Sequence, residues 1–188
     1  MAEKEADNSC LPDTGRSGTL NPFGIMVFLE LPLRIIDRKM LDQLTTEAQA
    51  SPRRRKNLNF HPGDDFCCHR LLNALEPDSY IPPHRHLDPL KDESMVMVRG
   101  RMGVLIFDNA GNVVGQAIIA AAGDAVAVDI PYGLFHTVVG LESGTVFFES
   151  KAGPYHPLTD EEKGGWAPTE GTEEALPYLA SLIGLLKG

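Results

Sequence analysis

The spacing of apolar residues changes character several times along the chain. Residues 1–24 show no hydrophobic period and are rich in Gly, Pro, Ser, Asn and Asp, the pattern of a flexible tail. An apolar run from Ile25 to Leu33, broken by Glu30 and Pro32, opens a segment 25–56 expected to hold a strand and a helix. Asp37 suits the N-cap of a helix over Arg38–Ala50, with Leu41, Leu44 and Ala48 on one face and Ser51-Pro52 as its stop. From Asn57 the period becomes two: Leu58 and Phe60 alternate with Asn57, Asn59 and His61, a half-buried strand. Further strands are expected near 68–75, 94–99, 102–108, 113–120, 125–129, 135–139 and 145–150, separated by Gly-, Pro- and Asp-containing turns. Short strands in this rhythm, with no room for crossover helices, exclude a parallel α/β sheet and imply a sandwich or barrel over 57–151. Residues 152–188 read as a Pro/Gly-rich arm with a capping box at Thr159–Glu162. A helix follows whose Leu179, Leu182, Ile183 and Leu186 lie on the barrel.

Composition narrows the function more than the fold. With 188 residues, one domain is expected. The net charge of −9 argues against nucleic acid or an anionic membrane as partner, although the acidity is concentrated toward the two ends. The three cysteines, Cys10, Cys67 and Cys68, form neither a disulfide framework nor a Cys-x-x-Cys zinc site, which suits a reducing compartment. No apolar run is long enough for a membrane span, and the N-terminus carries no secretory pattern, so a cytoplasmic location is expected.

Candidate chemistry lies in the histidines. His84 and His86 are two apart beside Pro82-Pro83, and in an extended segment their side chains share a face. Glu93 follows at the start of a strand, and His136 comes behind a Pro131-x-Gly133 turn. Three imidazoles and a carboxylate would suit one divalent transition metal ion per chain: Fe, Mn, Ni, Cu or Zn. The same residues also fit a His-x-His on an exposed loop and a His136 that satisfies a core hydrogen bond.

Two segments carry a family resemblance. YIPPHRHLDPLKDESMVMVRG resembles the first cupin motif, with His84, His86, Glu93 and Gly100 at its marked positions. GDAVAVDIPYGLFHTVVG resembles the second, through Gly123, Pro131, Gly133 and His136. Six residues separate His86 from Glu93, more than in most cupins, which makes Asp92 and Asp88 rivals for the carboxylate ligand; the spacing to Gly100 favours Glu93. Gly140 stands where the second motif often has Asn. The blocks SPRRRKNLNFH, GTVFFESKAGPYHPLTDEE and GGWAPTEG are similar to the WbuC family of cupin fold metalloproteins, over about residues 33–185. The resemblance implies a mainly β, cupin-type jelly-roll barrel, with a short N-terminal helix and a C-terminal arm and helix, holding a metal at His84, His86, Glu93 and His136. It also implies a link to polysaccharide or O-antigen synthesis, but no particular reaction.

Other residues leave two readings each. Arg53 to Lys56 can favour the dipole at a helix C-terminus, or Arg54 and Arg55 can clamp a substrate anion. Asn59 and His61 can face water or line a polar pocket. Tyr155, His156 and Trp166 can pack outside the barrel, the reading favoured here, or close over it as a lid. Two functions are therefore weighed. One is a metal-dependent isomerase, epimerase or dioxygenase acting on a small polar or anionic molecule, a sugar or sugar acid. The other is a non-catalytic metal- or ligand-binding domain. A homodimer is the expected assembly.

Overall fold

The structure, a computed structural model, describes residues 33–186. The expected tail over 1–24 and all but the last residue of the apolar run from Ile25 lie outside those residues. The chain divides into residues 1–37 and 38–188, and the architecture below belongs to the second unit. Its elements run α1 (Arg38–Ala50), β1 (Arg55–Asn59), β2 (Cys68–Leu75), β3 (Glu93–Arg99), β4 (Arg101–Phe107), β5 (Val113–Ala120), β6 (Ala127–Ile130), β7 (Phe135–Gly140), β8 (Thr145–Ala152) and α2 (Ala175–Leu185).

Two antiparallel sheets form, in the orders β1-β2-β8-β3-β6 and β5-β4-β7. Chain-sequential strands repeatedly fall in different sheets, the signature of a jelly roll rather than a meander. The barrel expected from the sequence is an open pair of sheets: among the described residues no ladder joins one sheet to the other. A helix covers part of the outer side of each sheet, while outward residues of β3 and β5 such as Val96 and Val114 stay exposed. Leu41, Leu44 and Ala48 of α1, one face of a 3.6-residue period, pack on Leu72, Ala74 and Val146. Leu179, Leu182 and Leu186 of the C-terminal helical segment pack on Leu105, Phe107 and Val139 of the smaller sheet. Between the sheets Leu75, Met95, Met97 and Phe147 meet Met102, Val104, Ile119 and Val138.

The alternation in β1 therefore has a different sense from that of a simple barrel. Leu58 and Phe60 join the cluster under α1, outside the sheet, while Asn57 and Asn59 turn to the inner side and line cavities. At the β3–β4 turn Gly100 has φ +75°, and a Cβ there would come within 3.0 Å of the Thr145 backbone, so only glycine fits without strain.

The arm after β8 folds back along the first histidine segment. Arg85 N–H donates to the Glu162 carbonyl and Gly164 N–H to that of Pro83, each at 2.8 Å. The expected capping box is half formed: Thr159 N–H donates to Glu162 Oε2 at 2.9 Å, but the Thr159 hydroxyl donates to the same oxygen at 3.1 Å instead of capping the Glu162 N–H. Trp166 packs against Phe107, as expected of a packing arm, whereas Tyr155 and His156 border cavities. One expectation is corrected: Cys67 is disulfide-bonded, while Cys68 is a free, exposed thiol, so the cysteine count no longer argues for a reducing compartment. No helix among the described residues is long and apolar enough to cross a membrane.

Candidate metal centre

The two histidine segments meet through their backbones. His84 N–H donates to the His136 carbonyl at 3.0 Å, and His136 N–H returns the bond to His84 at 2.8 Å. Gly133, at φ +81°, donates its N–H to the His86 carbonyl at 2.7 Å, so the Pro-x-Gly turn also ties the segments together. The side chains converge as a consequence. Ligand atoms of His84, His86 and Glu93 lie within 4.8 Å of one another. His86 Nε2 is 3.0 Å from Glu93 Oε1, and His136 Nε2 is 2.9 Å from Glu93 Oε2.

The hydrogen bonds of the rings decide which nitrogens can face a cation. The Nδ1 atoms of His84 and His136 face the carbonyls of Pro82 and Leu134 at 3.1 and 2.9 Å. A carbonyl only accepts, so each Nδ1 carries a proton, and a ring with that single proton presents Nε2 as a lone pair. In His136 that lone pair faces a carboxylate oxygen. Two acceptors at 2.9 Å need a positive charge between them: either a second proton on the ring or a metal ion. His86 and His136 approach the two oxygens of the Glu93 carboxylate from separate rings, and imidazole nitrogens with a carboxylate are a donor set that could hold a divalent transition ion. The residues fit a divalent ion.

Electrostatics follow from enclosure. Burial first, and the nearby His136 next, push the His84 imidazole down to about 3, so it is a neutral donor at ordinary pH. Burial would raise the Glu93 carboxyl, but hydrogen bonds from His136 and His86 and the Lys151 charge overcome it and hold the group well below its usual range. Lys151 was not singled out from the sequence. Cross-strand register sets it opposite Glu93, and its ammonium contacts that carboxylate. Two residues back on the same face, Glu149 accepts from Lys151 at 2.8 Å and from Asn73 at 2.8 Å. Burial disfavours the Lys151 charge, but Glu149 and Glu93 together raise its pKa, keeping it cationic. The signal that could have revealed this pair is the period-two run Phe147, Glu149, Lys151, which puts two opposite charges on the inward face of an interior strand.

Both rival carboxylates have other work. Asp92 is exposed and accepts from the Tyr132 N–H at 2.8 Å, bracing the turn before His136. Asp88, also exposed, accepts from Leu90 N–H at 3.0 Å within its own loop.

Lys151 lines three cavities, two of which adjoin the cluster. The largest, about 380 Å³, has His84, Glu93 and His136 among its walls, with Asn57, Asn73 and Glu149. A second, about 160 Å³, lies against His84 and His86. The third, about 310 Å³, is lined by Asn59, His61, His69, Asp64 and Tyr155. His61 and His69 stack there with centroids 4.0 Å apart, and burial, then His61, depress the His69 pKa. Asn59 and His61 thus line a pocket, next to Lys151 rather than to His84, His86 or His136. The arginine clamp is corrected. Arg54 lines none of these cavities and is held by Asp78 at 2.9 Å. Arg55 borders the largest, but both its terminal nitrogens are paired with Glu170 at 2.6 and 2.9 Å. That pairing fastens β1 to the C-terminal arm and leaves little for a substrate anion.

Comparison with known proteins gives likeness rather than function. The family described as a domain of unknown function, DUF6016, matches residues 36–119, which include His84, His86 and Glu93 but not His136. No curated protein matches the chain. Among solved structures, KdgF from Halomonas sp. is 15% identical, with 59% of this chain and 86% of that one covered at a TM-score of 0.42. BH2720 from Bacillus halodurans is 21% identical over 68% and 87% of the two chains, at 0.44. The cupin domain of Cnp3 from Schizosaccharomyces pombe is 9% identical over 52% and 60%, at 0.41. Its strands, ordered in two antiparallel sheets, form a mainly β jelly roll, and its His-x-His and Pro-x-Gly-x-x-His segments, those that resemble the cupin motifs, are bridged to each other.

Proposed function

We propose that this chain is a metal-dependent enzyme of the WbuC type, acting on a small polar substrate, a sugar or sugar acid. One divalent transition ion (Fe, Mn, Ni, Cu or Zn) is held by His84, His86, Glu93 and His136. The observation that carries the reading is the His136 ring, whose Nδ1 is committed to a carbonyl while its Nε2 faces Glu93, on the wall of a cavity large enough for a small molecule. A purely structural ion would be closed off by protein ligands; here the cluster borders open cavities. When bound, the ion supplies Lewis-acid or redox chemistry.

The chain's own groups divide the remaining tasks. The Pro82 and Leu134 carbonyls fix the tautomer of His84 and His136, and the backbone bridge between residues 84 and 136 sets the two rings side by side. Lys151 orients the Glu93 carboxylate. Asn57, Asn73 and Glu149 offer donors and acceptors suited to hydroxyl groups. The apolar floor of Leu75, Met95 and Phe147 excludes water from the far side of the largest cavity.

The test is calorimetric titration of the ion-loaded and ion-stripped chain with a panel of sugars and sugar acids, followed by product analysis. Saturable binding and turnover that depend on the ion are expected. An ion-loaded chain that binds members of the panel and converts none would overturn the enzyme reading in favour of a binding domain.

A further inference from the structure

Two lysines line the cavity on the His84–His86 side of the cluster. Lys91, in the loop before β3, is 9% exposed, and its Nζ donates to the Pro154 carbonyl at 2.9 Å. An ammonium has three donors, and among the described residues no carboxylate pairs with this one. A buried cation with its charge unpaired is costly unless something nearby answers it. The cavity beside it, about 160 Å³, is walled by His69, His84, His86, Lys151 and His156, with no aspartate or glutamate among its described lining residues. The contrast with the arginine run is direct: Arg53, Arg54 and Arg55 all carry carboxylate partners, whereas Lys91 has only a carbonyl.

The charge balance points the same way. Lys91 and Lys151 cancel Glu93 and Glu149, the histidine ligands are neutral, and a divalent ion would leave the loaded site with two positive charges. Such a site favours an anion over a neutral molecule of the same shape. The volume equals about five waters at their share of liquid volume, roughly 30 Å³ each, enough for a carboxylate and the carbons next to it.

We propose that this second cavity is the subsite for the substrate's carboxylate, with Lys91 Nζ as its specific donor. The proposal rests on the metal-dependent reading above for what lies next to the carboxylate, but not for the carboxylate contact itself. Lys91 is a specificity-determining residue for acids over neutral sugars.

The experiment is calorimetric titration of the metal-loaded full chain with D-glucuronate, D-glucose and inorganic phosphate, in wild type, Lys91→Met and Lys91→Gln. Metal content and melting temperature are measured on each protein. The glutamine amide can still donate to the Pro154 carbonyl, so it keeps the structural bond and removes only the charge. Wild type should bind glucuronate at least about tenfold more tightly than glucose, as a lost charge-assisted hydrogen bond would suggest. Both variants should lose that preference with metal content unchanged. The proposal is overturned if Lys91→Gln binds glucuronate as tightly as wild type, or if wild type shows no preference for the acid. Tighter binding of phosphate than of glucuronate, with the same dependence on Lys91, would replace the carboxylate with a phosphate. Should wild type take up no metal, the metal reading fails, and the same titrations on the unloaded chain still decide the carboxylate contact.

Discussion

Acid should loosen the metal-free fold through His84 before it protonates any carboxylate of the site. The imidazole is neutral in the folded chain, its pKa lowered to about 3 by burial and then by His136, whereas in the unfolded chain it titrates at its ordinary 6.5. Between those values the unfolded state binds a proton that the folded state does not. Stability is therefore complete above the unfolded value and is lost as pH falls through the window. The loss amounts to about 1 kcal/mol between roughly pH 6.5 and 5.5, and approaches about 1.4 kcal/mol per further unit. Glu93, whose folded carboxyl is held low, adds loss in the same direction, but only below the usual carboxylate range, so work above about pH 5 separates the two. The assay is urea denaturation of chelator-treated protein from about pH 7.5 to 5, for wild type and His84→Asn. The asparagine amide keeps a donor toward the Pro82 carbonyl and removes the titrating ring. His69, also lowered, contributes to both proteins and cancels in the difference. Wild type should lose about 1 kcal/mol more than the variant across that unit of pH. Parallel curves would refute the claim that His84 is an enclosed, neutral donor.

Two other substitutions probe the cluster and its support. Glu93→Ala should abolish metal retention, while Asp92→Ala, which removes only the brace on Tyr132 N–H, should retain the ion; the reverse result by elemental analysis would move the carboxylate ligand to Asp92. Leu182→Ala, at a side chain 2% exposed under the smaller sheet, should cost about 2–5 kcal/mol by leaving a cavity, read as a lower urea midpoint with the metal still bound.

Much of this architecture was legible because local periods agree with tertiary burial. The helix over residues 38–50 and the strands over 68–75 and 113–120 have the bounds that their patterns imply, since each has a clear face and a turn residue at its ends. The edges of β1 and β6 were shifted by about two residues: the first turn after α1 is set by Arg54 at φ +55°, a conformation that residue identity does not announce. The direction of β1 was not legible either. Period two says that Leu58 and Phe60 share a dry face, but not that α1 lies over it, and only the helix makes the asparagine face the cavity side.

The site divides along the same line. His84, His86, Glu93 and His136 stand out because residue type and spacing in two short segments carry the chemistry; the structure gathers the ligand atoms of the first three within 4.8 Å and sets His136 against Glu93. Lys151 and Lys91 do not stand out, because their roles come from the β3–β8 register and from a loop closing near Pro154, neither of which leaves a mark in a single stretch of sequence. The arginine run misled for the converse reason. A concentrated charge is conspicuous along the chain, while Glu170, which neutralises Arg55, lies more than a hundred residues away.

The most direct measurement of the central claim is the metal content of the full chain, purified without a metal-affinity resin, by elemental analysis of wild type beside His136→Ala. Wild type should carry about one divalent transition ion per chain, and the variant, lacking the ring that faces Glu93, should carry almost none while keeping its strand-dominated circular dichroism. Wild type without an ion after incubation with each candidate metal, or a His136→Ala chain that holds its ion as firmly as wild type, would contradict the account.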